Sequence, residues 1–253
     1  MNPYYYDLHT HSALSPCGDN AMTPNSLAGM ASLAGIQVLA LTDHNTAKNC
    51  PAFFTACKRY GVVPVGGMEL TTAEEIHVVC LFPTLEAALD FDSAVEKRRM
   101  KIENKPEIFG DQLIMDDEDN ITGTDPWFLP AATEISLAEA PELVRRHGGI
   151  CYPAHIERPS GGIIPILGGF PPDVPFAAYE LHDMDLRGEY EQKFPILKSL
   201  NCVCCSDAHY LEQIRDAEHT LLLDDEPYSS AMLRLSVIKR LGNPPGPGKE
   251  ARA

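Results

Sequence analysis

Short apolar runs alternate with amphipathic segments along most of this chain. The runs read as strands, and they are YYYDL, IQVLAL, VVPVGGMEL, IHVVCLF, GICYPAH, FAAYELH, CVCCSDAH and HTLLLDD. Between several of them the apolar residues return at helical spacing. The predicted helices are MTPNSLAGMASLAG, CPAFFTACKRYG, TLEAALDFDSAVEKRRMK and SSAMLRLSVIKRLG. This regular alternation predicts an α/β fold whose strands run parallel.

The predicted helices carry start and stop signals at their ends. Thr23 is placed to cap the first helix, Pro24 suits its first turn, and Gly35 suits its exit. Gly61 closes the second helix, and Thr84 is placed to cap the third. These signals fix where the strands before and after each helix begin and end.

Histidines and acids, the residue types that commonly bind metals, lie at the ends of the predicted strands. His9 and His11 come after the first strand and, being two residues apart, point to one face of an extended chain. The residues that end later strands are Asp43 with His44, Glu69, His155, and Asp207 with His209, whereas His77 begins a strand. The carboxyl ends of strands in an α/β barrel converge on one face, where active sites are built. The pattern therefore favours a closed or nearly closed barrel with a metal site at that face. His147 and His219 are interpreted as lying elsewhere, and His182 as a residue that could line the site.

The overall composition narrows the class of protein. The 253 residues suit one large α/β domain or two small ones. A net charge of −16 disfavours binding to the phosphates of a long nucleic acid. No apolar run is long enough to span a membrane, and the N-terminus lacks the pattern of a secretion signal. Eight scattered cysteines are interpreted as reduced thiols. Together these features predict a cytoplasmic globular protein without a membrane partner.

The ordered motifs DLHTHS, LTDHN, GMEL, IHVV, PAH and CSDAH resemble those of the PHP family, the polymerase and histidinol phosphatase domain. The resemblance covers most of residues 4 to 210. It implies a distorted (β/α)7 barrel that holds two or three divalent metal ions at its C-terminal face. Proteins of this family usually hydrolyse phosphoesters.

The resemblance also implies ligand roles at the matching positions. His9 and His11 would bind a first metal with Glu69 and Asp207. Glu69 would bridge to a second metal, which His77 and His155 also bind, while His44 and His209 would bind a third. Close relatives often have Ser-Asp-Gly after the paired histidines, but this chain has SPCGD. Asp19, Cys17 or neither would then complete the third site.

The ligand types indicate the chemistry. Mixed imidazole and carboxylate ligands suit zinc, manganese or iron. Such ions lower the pKa of a bound water and clamp the oxygens of a phosphoester. Glu69 and Asp207 are predicted to be catalytic through the metals. Arg158 is predicted to grip the phosphate, or alternatively to pair with Glu157 at the surface. Asp43 is interpreted as an acid that orients a ligand.

The predicted organisation is one PHP-type barrel domain over residues 1–242 with a flexible tail over residues 243–253. Residues 101–135 interrupt the alternation and are interpreted as an inserted lid, or alternatively as a solvated surface excursion. Phe109, Trp127 and Phe128 in this insertion are candidates for stacking on a nucleobase.

The predicted function is a metal-dependent phosphoesterase that hydrolyses a phosphomonoester with a metal-activated hydroxide. The predicted partner is a small phosphorylated substrate, either a nucleotide or the end of a short oligonucleotide, and no long nucleic acid. One alternative is a non-catalytic metal-binding PHP module with a scaffold or regulatory role. Others are a histidinol-phosphate-like or sugar-phosphate phosphatase, and hydrolysis of a C–N bond as in amidohydrolases, although no lysine lies at a strand end.

Overall fold

A computed structural model describes residues 1–243, and the predicted tail beyond Asn243 lies outside the described residues. The strands are β1 (Asn2–Asp7), β2 (Val38–Leu41), β3 (Val63–Thr71), β4 (His77–Phe82), β5 (Leu113–Met115), β6 (Ile121–Thr124), β7 (Ile150–Pro153), β8 (Ala178–Leu181), β9 (Asn201–Cys204) and β10 (Thr220–Leu223). The α-helices are α1 (Pro24–Leu33), α2 (Cys50–Tyr60), α3 (Leu85–Glu96), α4 (Pro106–Phe109), α5 (Ala140–Arg146), α6 (Ile163–Leu167), α7 (Arg187–Lys193) and α8 (Ser230–Gly242). None of the helices in residues 1–243 combines the length and apolar character needed to cross a membrane.

The predicted helix signals are present in the structure. The Thr23 hydroxyl accepts a hydrogen bond from the Ser26 amide at 3.0 Å, and Thr84 caps α3 in the same way. Gly61 ends α2 in the left-handed conformation, with φ of 71°. Helix α3 ends at Glu96, earlier than predicted, and the basic residues that follow it leave the helix.

The strands form a curled sheet that a second, smaller sheet extends into a ring. The larger sheet has the order β10-β1-β2-β3-β4-β7, and β8 pairs with β9. Beyond the end of β7, the Ile156 amide donates to the Glu180 carbonyl of β8 at 3.0 Å. On the other side, Thr10 after β1 forms a parallel bridge with Ala208 after β9. The predicted distorted barrel is confirmed, with β1, β2, β3, β4, β7, β8 and β9 around the ring.

The directions of the strands differ from the parallel arrangement that the sequence suggested. Strands β1, β2 and β3 are parallel, but β3 pairs antiparallel with β4, and β4 pairs antiparallel with β7. Only residues 72–76 connect β3 to β4, and a parallel crossover needs a dozen residues or more. The hairpin places His77, the first residue of β4, opposite Thr71 at the C-terminal end of β3.

The barrel interior is filled by apolar side chains and closed at one end by α8. Tyr152 and Val203 inside the ring belong to the same buried cluster as Leu233 and Val237 of α8. The side chain of Asn201, the first residue of β9, donates to carbonyls at the end of α8. Helix α8 therefore covers the end of the barrel where β1, β2, β3, β7, β8 and β9 begin and β4 ends, and the opposite end is left for the predicted site.

Residues 101–135 contain more regular structure than the sequence suggested, since they include α4 and the hairpin of β5 and β6. Asp125, whose side chain is fully buried, fastens this insertion to the barrel. Its Oδ2 lies 2.7 Å from Lys48 Nζ and 3.2 Å from Nη2 of the buried Arg99. Asn45 adds a second anchor, because its amide donates to the carbonyls of Leu129 and Ala131. The insertion is thus tied to the barrel at several points.

We expect Asp125→Asn to destabilise the fold by about 3 kcal/mol, because it leaves the Arg99 guanidinium buried without its main counter-charge. Despite the opposing effect of burial, Lys48 and Arg99 lower the pKa of Asp125 in the folded chain. Its stabilisation is therefore present above the unfolded pKa of about 4 and is lost as the pH falls through the lower folded value. Urea unfolding at neutral and acidic pH measures both effects.

The matched control for this change is Asp117→Asn in the same insertion. Asp117 forms an exposed ion pair with Arg59, which should contribute less than about 1 kcal/mol. Equal losses of stability in the two variants would contradict the anchoring role of Asp125.

Candidate metal centre

His9 and His11 lie side by side on the extended chain that follows β1. Both side chains are fully buried, and their Nε2 atoms are 3.2 Å apart. The chain between them is held in place because Thr10 bridges to Ala208 in the neighbouring segment that follows β9. The prediction that these two imidazoles share one face is confirmed.

Glu69 lies at the centre of the cluster. Its carboxylate is fully buried at the C-terminal part of β3. Five imidazole nitrogens lie 2.9–3.4 Å from its two oxygens, and they belong to His9, His11, His44, His77 and His155. Oε1 is closest to His77 and His155, whereas Oε2 is closest to His44. The two oxygens of the carboxylate therefore face different sets of imidazoles: Oε1 faces His9, His77 and His155, and Oε2 faces His11 and His44.

Asp207 supplies the second carboxylate of the cluster. Its Oδ1 lies 3.3 Å from Nε2 of His9 and 3.1 Å from Nε2 of His11. Its backbone has φ of 50°, and His155 also has positive φ, a conformation that costs free energy in residues other than glycine. The surrounding ring holds Asp207 in place, because the Asp207 amide donates to the His9 carbonyl at 2.9 Å. His209 stacks on His11 with ring centroids 4.2 Å apart.

These residues form three overlapping groups in which one ligand atom from each member lies within 4.8 Å of the others. The groups are His9, His11, Glu69 and Asp207; then His44, Glu69 and His77; then His11, His44 and His209. His155 lies beside these groups, and four buried atoms of the cluster make no well-directed hydrogen bond although imidazoles or carboxylates surround them: His44 Nδ1, Glu69 Oε2, His155 Nδ1 and Asp207 Oδ1. Unpaired buried polar atoms are costly, and divalent cations would satisfy most of them. The donor set therefore fits metal ions.

Two predicted candidates for the third site lie outside these groups. The Asp19 side chain is exposed, and its Oδ1 accepts a hydrogen bond from the Ala21 amide at 2.7 Å. Cys17 is close to the cluster but contributes no atom to any of the three groups. Cys17 is exposed to solvent, and the nearby carboxylates of Glu69, Asp207 and Asp43 raise the pKa of its thiol, which disfavours the thiolate that binds metals. His11 stands with His44 and His209 in the third group instead.

Asp43 orients one of the imidazoles through a serine. Its carboxylate accepts hydrogen bonds from the Ser12 amide, the Ser12 hydroxyl and the Ser15 hydroxyl at 2.7–2.8 Å. The Ser15 hydroxyl lies 2.9 Å from Nδ1 of His11. This contact fixes the ring of His11, as the orienting role predicted for Asp43 requires.

Glu180 is a site residue that the sequence analysis missed. It is fully buried in β8, and both carboxylate oxygens lie 3.0 Å from Nδ1 of His9. A carboxylate behind an imidazole fixes the tautomer of the ring and raises its strength as a ligand. The sequence contained one signal for this role, because Glu180 is an acid inside the apolar run FAAYELH. Burying its charge without a partner would cost free energy, so a partner was to be expected.

We expect Glu180→Gln to weaken metal binding by about 10- to 100-fold while the barrel remains folded, because His9 loses its charged partner. Titration against a chromophoric chelator measures this affinity. Glu189→Gln, at an exposed position of α7, is the matched control. Equal affinities in the two variants would show that Glu180 does not support His9.

The pKa values of His9 and His11 are raised by the carboxylates of the cluster. Burial opposes protonation of His9, but Glu180, Asp207 and Glu69 outweigh it and raise its pKa well above the ordinary value. The pKa of His11 is raised to about 9 by Asp207 and Glu69, again against burial. The carboxylates therefore favour positive charge at His9 and His11. Metal ions compete with protons for the same nitrogens.

The remaining groups are shifted in the opposite direction. Burial lowers the pKa of His44 to about 4 and that of His209 to about 3, with the nearby His11 contributing to both. Burial would raise the pKa of Glu69 and Asp207, but the surrounding histidines hold both well below their usual range. Ionised carboxylates and neutral imidazoles are the forms that bind metals.

Two cavities adjoin the cluster. The larger, of about 860 Å³, reaches His44 and His77 and is bounded by Phe109 and Phe128 of the insertion. The centroids of these two aromatic rings are 4.5 Å apart. Trp127 does not line this cavity, and the Lys101 ammonium lies over its ring.

The smaller cavity, of about 560 Å³, reaches Asp207 and His209 and is lined by Arg158, His182 and Arg215. Arg158 pairs with Asp207 and not with Glu157, so its guanidinium faces the cluster. Cys17 lines both cavities, which therefore meet beside the metal groups.

Comparison with known proteins supports the family suggested by the motifs. The family described as PHP domain matches residues 7–145, just over half of the chain. A 5′-3′ exoribonuclease of Haemophilus influenzae is 36% identical over 114 residues, which cover 42% of this chain and 40% of that protein. The chain thus spans less than half the length of this curated relative.

Two solved structures share the fold at low sequence identity. The lesion-specific endonuclease PfuEndoQ from Pyrococcus furiosus has a TM-score of 0.65 and 18% identity, covering 96% of this chain and 57% of that one. The second is Endonuclease Q in complex with a 27-mer duplex substrate that has an abasic lesion. Its TM-score is 0.60 and its identity 17%, and the match covers 83% of this chain and 50% of that chain.

These findings overturn one prediction from the sequence. A small phosphorylated partner and no long nucleic acid were expected from the net charge, and this was wrong, because similar proteins are an exoribonuclease and an endonuclease bound to a DNA duplex. A net charge averages over the whole surface and does not describe the field inside one cavity. Arg158 and Arg215 line a cavity at the cluster although the chain is acidic overall.

Proposed function

The chain belongs to the PHP domain family, and from that premise we propose that it is a metal-dependent phosphoesterase that hydrolyses nucleic acid. The observation that carries the proposal is the buried Glu69 carboxylate with five imidazole nitrogens within 3.4 Å. We assign the activity to residues 1–242 as one domain.

Named residues would hold the metal ions. His9, His11, Glu69 and Asp207 would hold the first, and Glu69 with His77 and His155 the second. His44 and His209, together with His11, would hold a third. Manganese, zinc and iron all suit this donor set. When bound, such ions lower the pKa of an attacking water and neutralise charge on the phosphoester.

The protein's own groups would position the substrate around these ions. Arg158 is held between Asp207 and His182, so its guanidinium is fixed at the edge of the cluster. It would bind a non-bridging phosphate oxygen and stabilise the charge that develops during hydrolysis. Phe109 and Phe128 would form an apolar wall that receives a nucleobase and excludes water on the other side.

Nucleic acid is proposed as the substrate for two reasons. A relative with 36% identity is a 5′-3′ exoribonuclease. The two cavities that meet at the cluster also differ in character, because one is bounded by aromatic side chains and the other by arginines. A nucleic-acid strand offers both a base and a series of phosphates to such a pair.

The test is hydrolysis by the manganese-loaded protein of labelled RNA and DNA oligonucleotides, with bis(p-nitrophenyl) phosphate as a simple diester. We expect cleavage of an oligonucleotide, loss of that cleavage with a chelator, and recovery when manganese is restored. Cleavage that survives complete metal removal would contradict the metal-dependent mechanism. Failure to cleave any of the diesters would contradict the proposed function.

A further inference from the structure

The smaller cavity contains an arginine that the proposed metal chemistry does not use. Arg215 lies in the loop between β9 and β10, and its guanidinium faces the cavity that reaches Asp207 and His209. Within residues 1–243, no carboxylate lies within ion-pair distance of Arg215, whereas Arg158 pairs with Asp207. An unpaired, half-buried cation is unusual in a chain with 36 acidic and 20 basic residues.

The contacts of Arg215 leave part of its donor capacity unused. Its Nη2 donates to the His182 backbone carbonyl at 3.0 Å and lies 3.2 Å from Nε2 of the His182 imidazole ring. Its Nη1 contacts the Cys204 sulfur at 3.5 Å. Arg158 approaches Nδ1 of that ring at 2.9 Å. A neutral imidazole has only one acceptor nitrogen, so the ring cannot accept from both guanidiniums.

The imidazole between the two arginines stays neutral. Burial lowers the pKa of His182, and the positive charges of Arg158 and Arg215 lower it further. Two guanidiniums therefore converge on one uncharged side chain in a cavity of about 560 Å³. Arg158 is paired with Asp207, so Arg215 is the cation here without a counter-charge, and a guanidinium binds phosphate through paired hydrogen bonds.

We propose that Arg215 and His182, beside Arg158, form a second phosphate-binding subsite that holds the phosphate next to the one being hydrolysed. This inference rests on the proposed function and deepens it. The subsite adjoins the cluster at Asp207 and His209, in a different cavity from the one bounded by the aromatic wall. Strand substrates with a neighbouring phosphate use it, whereas an isolated phosphodiester does not.

The experiment compares Arg215→Gln with wild type on two kinds of substrate. On a short oligonucleotide, we expect KM to rise by about 10- to 100-fold, the usual effect of losing hydrogen bonds to a charged group, with a smaller change in kcat. On bis(p-nitrophenyl) phosphate, which has no neighbouring phosphate, the variant and the wild type should be equal. Arg215→Lys should restore part of the loss, because it keeps the charge but not the planar fork.

Binding is measured separately, by fluorescence anisotropy of a labelled oligothymidylate over a range of salt concentrations. Loss of one phosphate contact should reduce the slope of log K against log salt by about 0.7 for a single strand. Arg146→Gln is the matched control, since it removes the same charge from an exposed pair with Glu142 on α5. It should leave both the KM and the slope unchanged.

The outcomes separate the subsite from the proposed function. Equal binding and KM in Arg215→Gln and Arg146→Gln would overturn the subsite, as would equal losses on both substrates, which indicate a structural role. If wild type cleaves neither substrate, the proposed function fails. In that case the salt dependence of oligothymidylate binding still tests the subsite. Absence of binding by the wild-type protein would overturn the subsite.

Discussion

Glu69→Gln is expected to abolish hydrolysis, with a fall in kcat of about 1,000-fold or more. The carboxylate lies within 3.4 Å of nitrogens from five imidazoles and belongs to two of the three ligand groups, so its loss removes one charge from two proposed metal positions. A loss of about 4 kcal/mol of transition-state stabilisation gives a reduction of this size. The measurement is kcat on an oligonucleotide at saturating manganese, with metal content determined on the same samples.

Glu86→Gln is the control for this change, because Glu86 is exposed in the first turn of α3. Thermal unfolding should show that both variants remain folded, since glutamine has the same size as glutamate. Turnover by Glu69→Gln near the wild-type level would rule out its bridging role.

Asp207→Asn should give the second-largest loss, with kcat/KM reduced by about 100-fold. The change removes the charge that faces His9 and His11 through Oδ1 and the charge that fixes Arg158 through Oδ2. Metal affinity and substrate binding should therefore fall together. Asp173→Asn, at an exposed loop position, is the comparison, and steady-state kinetics over a range of manganese concentrations separates the two effects.

If Asp207 only shaped the loop, Asp207→Asn would lower thermal stability without changing metal affinity. That result would remove Asp207 from the proposed ligand set.

The sequence predicted the elements of the barrel where local signals were strong. Thr23, Gly61 and Thr84 mark helix ends because capping and left-handed φ depend on a few neighbouring residues. Metal-ligand residue types at successive strand ends predicted that His9, His11 and Glu69 come together, since barrel geometry makes those ends converge. The ligand roles of these residues remain predictions.

What the sequence did not predict depends on contacts between distant segments. The antiparallel pairing of β3 with β4 follows from a short connection, but alternating elements suggested parallel strands. Glu180 was passed over because its partner, His9, is 171 residues away. Arg215 lies in a loop without a periodic pattern, so nothing local indicated that it faces the cluster. The prediction of a small phosphorylated partner was wrong for a related reason, because the net charge does not show where individual charges lie on the folded chain.

The metal content of the protein shows whether one chain holds a cluster of divalent metal ions around Glu69. The protein should be purified without chelator, loaded with manganese or zinc, freed of unbound metal, and analysed for its elements against protein concentration. We expect at least two ions per wild-type chain and a clear loss in Glu69→Gln. A ratio well below one ion per chain in the loaded wild-type protein would rule out the proposed metal cluster.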